Sequence, residues 1–199
     1  MKILRIILCF FFCFYNIIGY SETMFIHDKP KEENIINPEK ALELWKKHGV
    51  SPYDVPRVPI YDEMQNPIML RDFKGKVVVV VFWASWCLQC VEELVSLDKL
   101  LSDLEYNEIK DVELIPLSID FKNQEFLKNL LDSNQIKNLK LYSDKNKELM
   151  SYLAVHSLPT SFIINPDSKI IFRSTQHIDW ADPIMLQEIT KIAESIKTK

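Results

Sequence analysis

The stretch VVVVVFWASWCLQCVEELV, from Val77 to Val95, changes its periodicity halfway along. Its five consecutive valines form a run that is long enough and β-branched enough to be a strand buried on both faces. Beyond the second cysteine, leucines at spacings of three and four residues predict one apolar stripe of a helix: Leu94, Leu97, Leu101 and Leu104. Cys87 and Cys90 therefore lie at a strand-to-helix switch, with Cys87 in the first turn of the helix.

This position has a chemical consequence for the two thiols. The thiolate is the reactive form of cysteine, and a thiol with a pKa of about 8.5 is only a few per cent ionised at neutral pH. Unpaired N–H groups and the positive end of the helix dipole stabilise an anion at a helix N-terminus. We therefore predict that Cys87 is the exposed attacking thiol. Cys90, one turn deeper, is expected to be the resolving thiol that breaks the mixed disulfide.

A Cys-x-x-Cys pair is also half of a typical zinc site, so this alternative has to be weighed. Structural zinc takes four ligands, usually with a second Cys or His pair at short spacing. The four histidines are His27, His48, His156 and His177, and the sequence contains no His-x-x-His and no second Cys-x-x-Cys. The pattern favours redox chemistry of the two thiols, without a metal or another cofactor.

Two further motifs accompany the cysteine pair. Phe82–Cys90 resembles the active-site segment of thioredoxin-fold proteins, and more narrowly that of the TlpA, ResA and CcmG group of membrane-associated thiol–disulfide oxidoreductases. Ser157–Asn165 resembles the cis-proline segment of that group, and Ile178–Trp180 is similar to an Asp-Trp pair near the end of these domains. The resemblance covers roughly Pro56 to Lys199. It implies a thioredoxin-like α/β fold, with a central mixed sheet flanked by helices, and thiol–disulfide oxidoreductase activity.

The resemblance also implies roles for side chains around the thiols. It predicts a cis peptide bond before Pro159, and it places Leu158 and Pro159 in a substrate-binding loop that faces the attacking thiol. Trp86, beside that thiol, is expected to belong to the same docking surface. Glu93 shares a helical face with Cys90, and a buried carboxylate there would accept the proton of the resolving thiol. The alternative is a solvated helix glutamate.

The composition is that of an ordinary globular chain. The 199 residues are 47% hydrophobic and 26% charged, with a formal net charge of −4, so nothing supports a nucleic-acid role. Of the four cysteines, Cys9 and Cys13 lie in the N-terminal apolar stretch. The remaining pair is too few for a disulfide-stapled scaffold.

The N-terminus has the layout of an export signal. Residues 1–21 carry two basic residues, an unbroken apolar core from Ile6 to Tyr15 and small residues near the end. This segment is expected to be a cleaved signal peptide or, alternatively, a retained membrane anchor. Asn16 interrupts the apolar run well short of the roughly 20 residues that a full span needs. Both alternatives predict an exported, periplasmic domain.

The remaining chain alternates strands and helices. Residues 22–55 are expected to form a spacer with a short helix from Asn37 to about Lys47, and residues 56–199 the thioredoxin-like domain. Periodicity predicts strands over 112–119, 139–142, 162–164 and 170–172. This alternation indicates a mostly parallel sheet that ends in an antiparallel hairpin. The long interval between the cysteine pair and the proline segment matches the helix and strand that the TlpA and ResA group inserts there.

Helix caps and two single residues give sharper expectations. Asp120 is predicted to cap a helix that begins near Lys122, and Ser143 to cap the next one; Asp182-Pro183 opens the last. Phe126 is expected to point inward. Pro116, inside the second strand, should force a bulge or present its missing donor outward, because proline cannot donate to a ladder.

Three functions fit these features. The first is an exported thiol–disulfide reductase, favoured because Leu88 and Gln89 place no cation between the cysteines to stabilise the thiolate. The resemblance implies client proteins in cytochrome c maturation or in assembly of the copper site of cytochrome oxidase. A membrane electron donor would have to reduce the pair again, because an oxidising compartment would otherwise leave it as a disulfide. The second is a disulfide oxidase or isomerase for exported proteins. The third is a binding module whose cysteine pair hands on copper or zinc.

Overall fold

Eight strands form a single sheet in the part of the chain that the computed structural model describes, which is Glu43, residues 50–120 and residues 122–195. The strands are β1 (Tyr53–Asp54), β2 (Pro59–Tyr61), β3 (Pro67–Met69), β4 (Val77–Trp83), β5 (Val112–Ser118), β6 (Tyr142–Ser143), β7 (Thr160–Ile164) and β8 (Lys169–Ser174). Their order across the sheet is β1-β8-β7-β4-β5-β6-β2-β3.

The valine run lies at the centre of this sheet. β4 is buried at every position, as expected of a strand with both faces covered. β5 pairs with it in parallel on one side and β7 pairs antiparallel on the other. β8 returns antiparallel to β7 across the predicted hairpin. This mixed sheet confirms the α/β architecture predicted from the sequence. The expectation of mostly parallel pairing is wrong, because among the described strands only β5 pairs in parallel, with β4 and with β6.

Helices cover both faces of the sheet. Within the described ranges, the α-helices are α1 (Leu88–Tyr106), α2 (Gln124–Ser133), α3 (Glu148–Tyr152) and α4 (Pro183–Glu194), and a short 3-10 helix spans Leu70–Phe73. Alternate residues of β4 serve two cores because successive side chains of a strand point to opposite faces. Val79 and Val81 pack with the buried stripe of α1, whereas Val78 and Val80 pack with Leu149 of α3. Full burial of one such side chain contributes about 1.5–3 kcal/mol.

The N-terminal predictions fall almost entirely outside the described residues. The signal peptide or anchor of residues 1–21 lies outside them, and so does the helix predicted from Asn37 to Lys47, apart from Glu43, which is helical. β1 lies just before Pro56 and pairs with β8. Among the described residues, no helix combines the length and the apolar character that a membrane crossing requires.

The start of α2 differs from the prediction. α2 begins two residues later than expected, and Asn123 caps it instead of Asp120, with the Asn123 Oδ1 accepting the Phe126 N–H at 2.8 Å. The predicted inward orientation of Phe126 is wrong, because its side chain is 45% exposed. The buried stripe of α2 consists of Leu127 and Leu131, and a helix turns about 100° per residue, so the preceding position points away from it.

The start of α3 also differs. Ser143 ends β6 and does not cap the helix; its hydroxyl is buried and has no hydrogen-bond partner in the described part of the chain. α3 begins only at Glu148. The carboxylate of Asp144 satisfies the helix start instead, since it accepts the Leu149 N–H at 3.3 Å and the Met150 N–H at 2.7 Å. A carboxylate has two oxygens for such donors, whereas a hydroxyl has one.

Two strands correct smaller expectations. β6 spans Tyr142–Ser143, whereas residues 139–142 were predicted. β5 has no bulge at Pro116 and pairs residue for residue with β4, so of the two expected alternatives the structure has the outward-facing proline. β6 pairs only with the last two residues of β5, so no described strand lies opposite Pro116 on that side. The missing proline donor is tolerated because the ladder there is incomplete.

Candidate active site

The cysteine pair occupies the turn between β4 and α1. Cys87 is the N-cap of α1, and its Sγ accepts the Cys90 N–H at 3.3 Å. The sequence predicts Cys87 in the first turn of the helix, which begins one position later. A disulfide joins Cys87 to Cys90, whose Cα atoms are 5.2 Å apart. Cys87 is partly exposed, whereas Cys90 is fully buried. Only the first sulfur is therefore open to a large partner.

A buried aspartate holds the loop that leads to the pair. The Asp120 carboxylate, just past the end of β5, accepts the Ser85 N–H at 2.6 Å and the Ser85 hydroxyl at 3.0 Å. The Ser118 hydroxyl also donates to it, at 3.1 Å. The sequence interpretation assigned Asp120 to a helix cap and therefore missed this role. The sequence did contain a signal for this role: Asp120 directly follows an apolar strand, and polar side chains at the ends of neighbouring strands often lie close together.

The proline segment lies at the same end of the sheet as the cysteines. The Leu158–Pro159 peptide bond is cis, as predicted. β7 begins at the next residue and runs antiparallel to β4, with Thr160 opposite Phe82. Because β4 ends just before Cys87, the start of β7 returns to that edge. Leu158 is half-buried and packs against both cores, and Pro159 is buried.

Glu93 lies in the interior, in α1, and the solvated alternative is wrong. Its side chain is 0% exposed. Oε1 accepts the Ser161 hydroxyl at 2.7 Å and the Trp180 Nε1–H at 2.9 Å, and Oε2 accepts the Ile178 N–H at 3.2 Å. Burial raises the pKa of Glu93 from 4.5 to about 7, although the three hydrogen bonds act in the opposite direction.

Ser96, on the same helix as Glu93, binds the segment that contains Ile178 and Trp180, which supply two of these three donors. The Ser96 hydroxyl donates to Glu93 O at 2.8 Å and lies 3.4 Å from Ile178 O, and it accepts the Trp180 N–H at 3.0 Å. The sequence predicted that the Asp-Trp pair belongs to the domain but did not connect it with Glu93. Ser96 and Ser161 were both missed, since a single serine carries no signal of a distant partner.

Large apolar side chains surround the exposed thiol position. Trp86, next to Cys87, is 72% exposed, and Leu88 is 56% exposed. Trp83, by contrast, is fully buried, in line with the core position of β4. An apolar rim of this kind suits the docking of another chain at the thiol, since exposed aromatic residues are enriched at protein interfaces.

Comparison with known proteins agrees with this geometry. The class that the fold and the site define is the thioredoxin-fold thiol–disulfide oxidoreductases of the ResA kind. The model of the AhpC/TSA family matches residues 53–173, which is more than half of the chain, and the chain belongs to that family.

Individual relatives are similar over most of the described part. The thiol-disulfide oxidoreductase ResA of Bacillus cereus (strain ATCC 10987 / NRS 248) is 35% identical over 139 residues, which is 70% of this chain and 73% of the relative. The thioredoxin domain of a thiol-disulfide oxidoreductase from Bacteroides vulgatus superposes with a TM-score of 0.56 at 21% identity, over 71% of this chain and 96% of that one. StoA from Bacillus subtilis superposes with a TM-score of 0.53 at 21% identity, over 70% of this chain and 100% of StoA. The two solved structures show the shared fold.

Proposed function

We propose that this protein is an exported reductase of protein disulfides, with Cys87 as the attacking and Cys90 as the resolving thiol. The observation that carries the proposal is the difference in exposure between the two cysteines. Cys87 caps the helix at a partly exposed position, whereas Cys90 is buried on the same helix as a buried carboxylate, Glu93. A reductase of protein disulfides needs one accessible thiol to attack the client and one protected thiol to resolve the mixed disulfide.

The reaction proceeds in two exchanges. In the reduced protein, the Cys87 thiolate attacks a client disulfide, forms a mixed disulfide and releases one client thiolate. Glu93 then accepts the proton of Cys90, and the Cys90 thiolate attacks the Cys87 sulfur. This second exchange closes the Cys87–Cys90 disulfide and releases the other client thiolate. Two electrons pass from the pair to the client, and the client thiolates take up protons.

The direction of electron flow follows from the residues between the cysteines. Leu88 and Gln89 carry no charge, so neither stabilises the Cys87 thiolate. A less stabilised thiolate makes the reduced form a better electron source, which supports reduction over oxidation. In an oxidising compartment the pair would accumulate as a disulfide, so a membrane electron donor has to reduce it again.

The client binds beside the thiol in this proposal. Trp86 supplies an exposed aromatic surface, and Leu158 and Pro159, just before β7, are proposed to contribute to the same docking surface. The family resemblance supports clients in cytochrome c maturation or in copper-site assembly of cytochrome oxidase. Residues 1–21 would export the domain, as a cleaved signal or an anchor. Cell fractionation and the N-terminal sequence of the isolated protein test this: a cytoplasmic protein that begins at Met1 would contradict it.

The reduction potential of the pair tests the direction. We expect a value near or below about −250 mV when the protein is equilibrated with glutathione, on the thioredoxin side of the range. Fluorescence of Trp86 should report the change. A potential near about −120 to −150 mV would contradict the reductase proposal and indicate an oxidase for exported proteins.

A further inference from the structure

The carboxylate of Glu93 is held by donors from outside its own helix. Ser161 belongs to β7, which follows the cis-proline, while Ile178 and Trp180 belong to the segment between β8 and α4. Two donors converge on Oε1, and Oε2 receives a single, longer bond from a backbone N–H. The carboxylate is thus fixed in position and orientation by three contacts between elements that lie far apart in the sequence.

No charge compensates this buried carboxylate in residues 50–120 and 122–195: none of the ion pairs found there involves Glu93. β7 contributes no ionisable side chain. The segment that supplies the backbone donor carries His177 and Asp179 on either side of Ile178. Both nitrogens of His177 are buried without a partner in this part of the chain, and Asp179 Oδ1 accepts the Ala181 N–H. Neutral donors alone therefore stabilise the ionised form of Glu93.

The chemistry of the donors distinguishes the two carboxylate oxygens. An indole N–H and a backbone N–H can only donate, so each opposes a proton on the oxygen that it contacts, whereas a hydroxyl can also accept. Oε1 already accepts two short hydrogen bonds, and the indole N–H of Trp180 cannot become an acceptor for a proton on this oxygen. Oε2 has only the 3.2 Å contact and keeps a free lone pair. A proton arriving at Glu93 is therefore best accommodated on Oε2.

We propose that Trp180 and Ser161 are positioning residues for proton transfer, which hold Glu93 ionised and leave Oε2 as the oxygen that receives the proton of the resolving thiol. Neither residue touches the reacting sulfur atoms in this role, because both act through the carboxylate. The inference rests on the proposed function in taking Glu93 as the proton acceptor for Cys90. The hydrogen-bond network itself is independent of that assumption, and the two claims can be tested separately.

Two substitutions with matched controls test the network. Trp180→Phe removes the indole N–H that reaches Oε1, and Trp83→Phe is its control, because the Trp83 side chain is also fully buried and its Nε1 has no partner in the described part of the chain. Ser161→Ala removes the hydroxyl donor. Ser143→Ala removes a buried strand hydroxyl that has no such partner. Each pair deletes the same atoms and differs in the bond to Glu93.

The measurement is the pKa of Glu93 in the disulfide form, followed by carbon-13 NMR of its carboxyl group, with the signal assigned by Glu93→Gln. The cysteines do not titrate in this form, so they cannot distort the curve. We expect Trp180→Phe and Ser161→Ala each to raise the Glu93 pKa by about one unit or more. The two controls should leave it unchanged. An unchanged pKa in Trp180→Phe and Ser161→Ala would overturn the inference, and Ser161→Ala decides alone if Trp180→Phe does not fold.

The kinetics of resolution separate this inference from the proposed function. For a glutamate pKa that rises from about 7 to about 8, the ionised fraction at pH 7 falls about fivefold, and so should the rate at which the mixed disulfide resolves. Wild-type speed should return at higher pH. If Glu93→Gln resolves as fast as the wild type, the proton-acceptor role fails while the NMR result stands. If Glu93→Gln is slow but the NMR result is negative, the acceptor role stands and the positioning role fails.

Discussion

Asp120 and Ser85 are 35 positions apart in the sequence, yet one carboxylate accepts both the backbone N–H and the hydroxyl of that serine. Asp120 is 7% exposed, so these bonds form away from bulk water. They join the end of β5 to the loop that carries Trp86 and Cys87. The position of the exposed thiol is consequently set by a contact across the sheet edge as well as by the strand and helix on either side.

Asp120→Ala should therefore loosen the active-site loop. The substitution leaves the Ser85 N–H and the Ser118 hydroxyl without their acceptor, and an unsatisfied buried donor costs about 1–3 kcal/mol. We expect a loss of unfolding free energy in this range, measured by urea denaturation, together with faster hydrogen exchange at the Ser85 amide. Asp132→Ala, at an exposed aspartate of α2, should change stability by no more than about 0.5 kcal/mol. Equal effects of the two substitutions would contradict the anchoring role.

Glu93 should make the stability of the domain fall as the pH rises. Its pKa is about 7 in the folded protein and near 4.5 when unfolded, so between these values the folded state binds more protons. The stabilisation is complete below pH 4.5 and is lost as the pH rises through 7. The corresponding free energy is about 3 kcal/mol at most.

Denaturation of the disulfide form between pH 4 and pH 8 measures this effect. In Glu93→Gln the group no longer titrates, so the stability difference between the wild type and this variant should shrink with rising pH. Glu92→Gln, at the half-buried neighbouring glutamate, should remove a much smaller part of the pH dependence. A difference that stays constant over this range would show that Glu93 titrates normally in the folded protein.

The features that the sequence predicted well are those with a local period or a motif. β4 and α1 follow from valine and leucine spacing, and the cis bond at Pro159 from the resemblance of its segment. Asp120 shows the limit of such reasoning, because an aspartate before a helix matches a cap pattern and nothing local reveals that Asn123 will cap instead. Ser161 lies 68 positions from Glu93, and strand alternation indicates only which face it occupies. Contacts of this kind depend on how the elements pack.

Trp86→Ala should weaken the reaction with a protein disulfide far more than it affects stability. The side chain is 72% exposed, so its truncation removes little core packing. If Trp86 contributes to docking, the second-order rate constant for reduction of a client should fall about tenfold, as expected for a central aromatic contact. The reaction with dithiothreitol should change little, because a small thiol needs no docking surface.

Tyr106→Ala is the matched control for Trp86→Ala. Tyr106 is 88% exposed and ends α1, about 28 Å from Cys87 along the helix. We expect its truncation to leave both rates unchanged. A loss of similar size in Trp86→Ala for the protein disulfide and for dithiothreitol would argue against docking and for an effect on the thiol itself.

Substitution of one cysteine at a time should separate the attacking from the resolving thiol. Cys90→Ser keeps the partly exposed Cys87 and removes the buried thiol, so the first exchange occurs and the mixed disulfide persists. With a synthetic peptide that contains one intramolecular disulfide, mass spectrometry should detect a stable adduct of Cys90→Ser at nearly one equivalent. Cys87→Ser should form almost none, because Cys90 is fully buried. A stable adduct of Cys87→Ser and none of Cys90→Ser would reverse the two roles, and adducts of both in equal amount would show that burial does not protect Cys90.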